Sequence, residues 1–200
     1  MSGTSGSDTI NNNVSCADHV TIDTGAGNDY IHHSGYYVSG YNDGWQNGGS
    51  YVSINGGDGD DYIRSSNYVN YTTIEGGADD DYIFNTSSNY VTINGGDGND
   101  IIQNVTSSSG LLIQYSQGDG NDTISGFNEN STLEIGGGYG TYVTQTSGND
   151  VIVYVGDGSI VLSGAASLGS GIYINGVESE LPAWRINGTT ATYGTSYSDR

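Results

Sequence analysis

Short runs of alternating apolar and polar residues recur along the chain: "VTID" (20–23), "VSIN" (52–55), "TTIE" (72–75) and "VTIN" (91–94). A period of two in β-branched residues predicts strands, and no segment shows a helical period. Val20, Ile22, Val52, Ile54, Ile74, Val91 and Ile93 then share one face and point inward. A glycine-acid turn follows each run, and after it comes a second short run headed by an isoleucine. Ile31, Ile63, Ile83, Ile102 and Ile124 are expected to close the core from that second strand. At the far turn the residues are small or polar (Asn12, Ser65, Asn85, Asn104), which suits a stacked polar ladder.

The second runs align on an aspartate. "SDTI" (7–10), "NDYI" (28–31), "DDYI" (60–63), "DDYI" (80–83), "NDII" (99–102), "NDTI" (121–124) and a weaker "NDVI" (149–152) place it at Asp8, Asp29, Asp61, Asp81, Asp100, Asp122 and Asp150. Successive gaps are 21, 32, 20, 19, 22 and 28 residues, so a base period near 20 carries two insertions. Two short strands and two turns per period make a coil that cannot bury its apolar face alone. Stacked on its neighbours at about 4.8 Å, it becomes a β-solenoid with a thin aliphatic core.

Composition sharpens this picture. Glycine accounts for 34 of 200 residues, proline for one, and three basic residues face 23 acidic ones, a formal charge of −20. Such a chain has nothing to replace phosphate counterions, which excludes a nucleic-acid partner, and it disfavours an anionic membrane surface. A chain this acidic and this poor in apolar residues stays disordered unless cations neutralise it. Cys16 is the sole cysteine, so no internal disulfide and no Cys/His metal cluster is expected. The start, "MSGTSGSDTI", lacks a basic and an apolar signal region, and no run approaches the roughly 18 apolar residues that span a bilayer. No secretion leader and no membrane insertion are expected, and the chain reads as soluble.

The glycine-acid turns supply a site for that cation. Stacking would bring Asp29, Asp61, Asp81, Asp100 and Asp122 to about 5 Å from one another, where like charges repel. Glycines allow positive φ, so a tight turn can aim several carbonyl oxygens at one point. Carboxylates with convergent carbonyls form an all-oxygen site, which suits Ca²⁺; magnesium keeps its waters and zinc wants nitrogen or sulfur.

"GGDGDDYIR" (56–64) and "GGDGNDIIQ" (95–103) fit the nonapeptide G-G-x-G-x-D-x-U-x at every specified position. "GGADDDYIF" (76–84) has Asp79 in place of the third glycine. "TGAGNDYIH" (24–32) and "QGDGNDTIS" (117–125) lack the first, and "GTSGSDTIN" (3–11) lacks the second. Residues 3 to 126 thus resemble the RTX, or hemolysin-type, calcium-binding β-roll repeats. The resemblance implies a right-handed parallel β-roll with ions between consecutive turns, each held by the sixth-position aspartate and by carbonyls of two turns. It assigns as metal-binding Asp8, Asp29, Asp61, Asp81, Asp100 and Asp122, with Gly25, Gly27, Gly57, Gly59, Gly77, Gly96, Gly98, Gly118 and Gly120. Asp58, Ala78 and Asp97 complete the set. Such rolls usually carry two nonapeptides per coil; here there is one, so calcium should line a single edge, with about four to five ions.

Residues 34–50, "SGYYVSGYNDGWQNGGS", interrupt the ladder with Tyr36, Tyr37, Tyr41 and Trp45. A loop packed on the roll accounts for them; a glycan-binding platform through Tyr36, Tyr41 and Trp45 is the alternative. Tyr30, Tyr62 and Tyr82 are expected to form one outward column, and Tyr51, Tyr68 and Tyr90 a second. His19, His32 and His33 have no nucleophile or acid constellation around them, and the latter two are read as exposed strand residues. The glycine turns are followed by no lysine and no helix, so they are not phosphate loops.

From about residue 127 the repeat decays. "STLEIG", "TYVTQT", "DVIVYVGDGSIVLSGA" and "GIYING" read as antiparallel strands with a hairpin turn at "GDGS" (156–159). The organisation expected is a solenoid over 1–126, a C-terminal β cap over 127–180, and a hairpin or linker over 181–200. The reading is a calcium-stabilised structural module of a secreted or cell-surface bacterial protein, such as an adhesin or an exported enzyme. The alternatives are a glycan- or surface-binding module and a self-assembling filament subunit, a homopolymer joined through open coil ends. Ice binding is disfavoured because the loop position that would hold threonine carries Ala26, Asp58, Ala78, Asp97 and Asp119. An enzyme is least favoured, since no nucleophile or acid–base pair stands out.

Overall fold

The computed structural model describes residues 1–14, 19–35, 50–66, 70–86, 89–105, 110–168 and 172–178. Cys16, Tyr36, Tyr37, Tyr41, Trp45, Tyr68 and the segment 181–200 lie outside these residues, so the aromatic insertion and the C-terminal hairpin or linker have no structural account.

Each coil sends one strand into each of two sheets. In the first sheet β2 (Val20–Ala26), β4 (Ser50–Asp58), β6 (Asn70–Ala78), β8 (Asn89–Asp97), β10 (Leu111–Tyr115), β12 (Ser131–Ile135) and β16 (Tyr173–Asn175) lie side by side. In the second, β1 (Thr9–Val14), β3 (Tyr30–Gly35), β5 (Tyr62–Ser66), β7 (Tyr82–Thr86), β9 (Ile101–Asn104) and β11 (Asn121–Ser125) follow in the same order. All these pairings are parallel. The protein is a parallel β-solenoid.

Register is set by the isoleucines. Ile22, Ile54, Ile74, Ile93, Ile113 and Leu133 stack across the first sheet, and Ile31, Ile63, Ile83, Ile102 and Ile124 across the second. All are fully buried or within 1% of it. A slip of one residue in any strand would expose its whole apolar set, so the alternating pattern selects this register alone.

The neighbouring inward column, Val52–Thr72–Val91, contains a defect. Thr72 is 1% exposed and its hydroxyl has no hydrogen-bond partner. A buried hydroxyl without a partner costs about 1–3 kcal/mol. Thr72→Val, which continues the column with valine, is therefore expected to raise the denaturant midpoint by the equivalent of about 1–2 kcal/mol. An unchanged or lowered midpoint would contradict this.

The C-terminal segment departs from expectation in strand direction. β12 and β16, read as antiparallel from "STLEIG" and "GIYING", pair in parallel and extend the first sheet beyond residue 126. Their apolar residues continue the solenoid column (Leu133 pairs with Ile113), and column packing outweighs the loss of the turn motif. The second sheet does change direction. β11 pairs in parallel with β15 (Gly158–Ser163), which forms an antiparallel hairpin with β14 (Asp150–Val155) around the expected turn. β13 (Thr141–Ser147) adds antiparallel to β14 and carries β17 (Val177–Glu178) in parallel. Val151, Val153, Val155, Ile160 and Leu162 close the end of the core. Among the described residues no helix is long and apolar enough to cross a membrane.

Candidate metal-binding edge

The glycine-acid turns are stacked along one edge of the solenoid, and their backbones continue the sheet. Gly25, Gly57, Gly77 and Gly96 are paired in register, as are Ala26, Asp58, Ala78 and Asp97. Gly98 bridges Gly120 in the same way. Backbone therefore meets backbone at distances that leave no room for side chains. A Cβ on Gly77 would lie within 2.9 Å of three backbone atoms of Gly57. Asp58 and Ala78 contribute to this ladder through their carbonyls, which accept N–H bonds from Gly27 (2.7 Å) and Gly59 (2.9 Å); the Asp58 and Asp97 side chains are exposed.

The sixth-position aspartates form a buried column. Asp29, Asp61, Asp81, Asp100 and Asp122 are at most 3% exposed. Burial is more complete than repulsion between stacked carboxylates suggests, because backbone donors offset part of it. The N–H of Asp8 donates to Oδ1 of Asp29 (2.7 Å), Asp29 to Asp61 (2.7 Å), Asp61 to Asp81 (2.8 Å), Asp81 to Asp100 (2.8 Å), and Asp100 to Asp122 (3.1 Å). One oxygen of each carboxylate is thereby occupied. The other, Oδ2, is buried without a partner in Asp29, Asp61, Asp81 and Asp100.

At Asp61, Asp81 and Asp100 the free oxygen lies in a cradle that depends on the first glycine of the repeat. A Cβ on Gly56 would overlap Oδ2 of Asp61 and the carbonyl oxygen of Gly76 in the next coil. One on Gly76 would overlap Oδ2 of Asp81 and the Gly95 carbonyl, and one on Gly95 would overlap Oδ2 of Asp100. The missing side chain is the space into which carboxylate and carbonyl oxygens converge. Among the described residues no three acidic, imidazole or thiol side chains cluster. The donor set is one carboxylate with backbone carbonyls, which fits a hard, oxygen-seeking cation and does not fit zinc.

The ends of the edge differ. Thr24 replaces the first glycine in its turn, is fully buried, and donates its hydroxyl to the Gly56 carbonyl (2.6 Å). At the N-terminal turn, Oδ2 of the half-buried Asp8 accepts from the Thr4 N–H (2.6 Å) and hydroxyl (3.0 Å), so it is not free. At the other end Asp119 folds back, with its N–H on the Ser116 carbonyl and its carboxylate on the Ser116 N–H, and a Cβ on Gly118 would meet nothing. Asp79, where the third glycine is replaced, keeps a left-handed φ of 78°, a conformation that costs a side-chain-bearing residue about 1–2 kcal/mol.

A second ladder, missed in the sequence, runs beside the column at the fifth repeat position. Asp80 N–H donates to Oδ1 of Asp60 (3.1 Å), Asn99 N–H to Oδ1 of Asp80 (2.7 Å), and Asn121 N–H to Oδ1 of Asn99 (3.2 Å). These bonds point to the preceding coil, opposite to the buried column, so each turn is clamped from both sides. The signal was present as an Asn or Asp before every aspartate from Asn28 to Asn121.

Burial pushes Asp81 and Asp122 up to about 8 and Asp61 and Asp100 up to about 6; backbone donors oppose the shift and neighbouring aspartates add to it. Without a cation, the folded state therefore holds protons that the unfolded chain, with carboxyls near 4, has released. Stability contributed by these protons is lost as pH rises from about 4 to about 8. His33, buried and held down to about 4, acts oppositely below its unfolded value of 6.5. In chelator, lowering the pH from about 8 to 6.5 should raise the folded fraction by circular dichroism; no change, or a fall, would show that the column carries no strain.

Among the described residues the opposite edge contains the expected polar residues and no acid. Asn12, Ser65, Asn85 and Asn104 are buried in it, and so is His33, which is fully buried and not exposed as its sequence context suggested. Its reason is parity: His33 lies two residues beyond the inward Ile31 on β3 and pairs with Asn12 and Ser65. His32, one residue away, faces outward and contacts the Ser66 hydroxyl (3.2 Å).

Two aromatic columns stand outside the core. Tyr30, Tyr62 and Tyr82 stack with centroids 5.2 Å apart. The other column is His19, Tyr51, Tyr71 and Tyr90, at 5.0 to 5.2 Å, with Tyr71 in the third place; the expected member Tyr68 lies outside the described residues. Ring faces are turned to one another, and edges to solvent.

No family model and no curated protein matches the chain. Among solved structures, the extracellular lipase LipA from Serratia marcescens is similar, with a TM-score of 0.42 and 14% identity over 86% of this chain. The match covers 39% of the lipase. The fold assignment rests on the strand pairing described above.

Proposed function

We propose that this chain is a calcium-binding structural β-roll module of a secreted or cell-surface protein, ordered by the ions it binds. The observation that supports it most is the set of buried carboxylate oxygens without partners at Asp29, Asp61, Asp81 and Asp100 on one edge, the last three of them facing glycine cradles. Four such oxygens agree with about four ions. Each ion would offset the repulsion between adjacent buried carboxylates, which without it favours their protonated form. Calcium at extracellular concentration suffices for modules of this kind, whereas calcium inside cells is too scarce.

Calcium would be held by Asp61, Asp81 and Asp100 with carbonyls of the turns on either side. It would supply positive charge and accept several oxygen ligands where the protein provides no N–H. A far-UV circular dichroism titration tests the reading. The chain should be largely disordered in excess chelator, gain β signal and a cooperative melt in millimolar calcium, and respond weakly to magnesium. Equal folding in chelator and calcium would leave a metal-independent solenoid.

A further inference from the structure

The column that forms the glycine cradles ends in a tyrosine. Two residues after the buried isoleucine, successive coils carry Thr24, Gly56, Gly76, Gly95 and Tyr115. Register keeps Tyr115 in this column, because Gln114 pairs with Asn94 and Tyr115 itself with the buried Ile135. In the three middle coils the glycine opens space for Oδ2 of Asp61, Asp81 and Asp100. Thr24 is short, and Oδ2 of Asp29 in its turn is still without a partner. The buried oxygens without partners stop at Asp100, although Asp122 is only 3% exposed.

Tyr115 is buried, so its ring fills the position that the three glycines leave open. Its hydroxyl donates to the Gly120 carbonyl (2.5 Å), which also accepts from the Ser159 N–H (3.0 Å) of the cap hairpin. A glycine again makes the room. A Cβ on Gly158 would overlap the Tyr115 hydroxyl and the Gly120 carbonyl oxygen, as one on Gly56 would overlap Oδ2 of Asp61 and the Gly76 carbonyl. The turn is rebuilt to suit: nine positions separate Ile113 from Asp122, against seven from isoleucine to aspartate in the four preceding coils. The aspartate column also stops here, since Asp122 pairs onward with Ile160. Burial, then the charges of Asp122, Asp119 and Asp100, push the phenol's ionisation upward, so it stays a neutral donor.

We propose that Tyr115 closes the ion array: its phenol takes the place of an ion in the last turn, and Asp122 holds none. This rests on the calcium reading above and departs from the ligand role that the repeat pattern implies for Asp122. At the earlier turns a cation would draw together the oxygens of two coils. At the last turn the phenol O–H meets the carbonyl oxygen instead, and the ring occupies the ion's space. The joint between solenoid and cap is thereby made of hydrogen bonds alone.

Calcium counts on the full chain, by equilibrium dialysis at a concentration that just saturates the wild type, test this. Asp122→Asn should bind as many ions as the wild type, and Asp100→Asn fewer. Tyr115→Phe should keep the wild-type count and lower the thermal midpoint in saturating calcium by roughly 2–4 °C, the effect of one lost hydrogen bond. A crystal structure grown in calcium should show ions against Asp61, Asp81 and Asp100 and none against Asp122, which decides the matter even where a variant fails to fold. An ion lost in Asp122→Asn, an ion against Asp122, or an unchanged midpoint in Tyr115→Phe would overturn the proposal. A wild type that binds no calcium is a different result: the calcium reading itself fails, and this proposal with it.

Discussion

Asp100→Asn is expected to make the apo protein more stable and the calcium-loaded protein less so. Asp100 sits between the Asp81 and Asp122 turns; its Oδ1 accepts from the Asp81 N–H, while Oδ2 is buried with no partner. An asparagine oxygen preserves the bond to Asp81 and removes the charge. In chelator the buried repulsion falls, so the folded fraction rises. In calcium the site loses its carboxylate, and the midpoint of the titration should rise about tenfold or more, since even indirect changes at metal sites cost that much. Asp8→Asn is the control: Asp8 is half-buried and its Oδ2 is satisfied by Thr4, so the midpoint should barely move. Asp100→Ala removes the acceptor from a buried N–H as well and should be worse in both conditions. The crossing of signs carries the test. If Asp100→Asn stabilises in calcium as much as in chelator, no ion uses that oxygen.

Gly77→Ala should separate the solenoid into weakly coupled halves. The new methyl group would lie within 2.9 Å of three backbone atoms of Gly57, and Gly77 has a φ of 132° that side chains rarely adopt. All three are backbone atoms and not the flexible end of a side chain, so relief requires the coils to move apart. Overpacking and backbone strain together should cost roughly 3 kcal/mol or more. Gly118→Ala, with φ 112° but nothing within 4 Å of its Cβ, should cost only the strain, about 1–2 kcal/mol. Thermal midpoints of both variants in saturating calcium provide the comparison. Equal losses would mean that conformational freedom alone, and not contact between turns, explains the glycines.

Much of this was legible along the chain because a solenoid repeats its physics. The alternating VTI and TTI runs, with an isoleucine after each turn, gave strand identity, inward face and parallel stacking, because only one register buries them all. The glycine-acid spacing gave the edge at which carboxylates meet. What it left open depended on neighbours in space. His33 looked exposed beside His32 until register with Asn12 and Ser65 placed it in the interior. "STLEIG" carries no turn motif, yet the column of Ile113 draws it into a parallel strand.

By itself, then, the sequence determined the coil, its core columns and the chemistry of one edge, since each follows from periodicity and residue type within a single repeat. Only the tertiary structure decided which oxygens are already used. It showed that backbone N–H groups of one coil occupy Oδ1 of the next and leave Oδ2 buried, and that Thr4 satisfies Asp8. Hydrogen-bond partnership is a property of distance and direction between coils, and residues about 20 positions apart do not declare it.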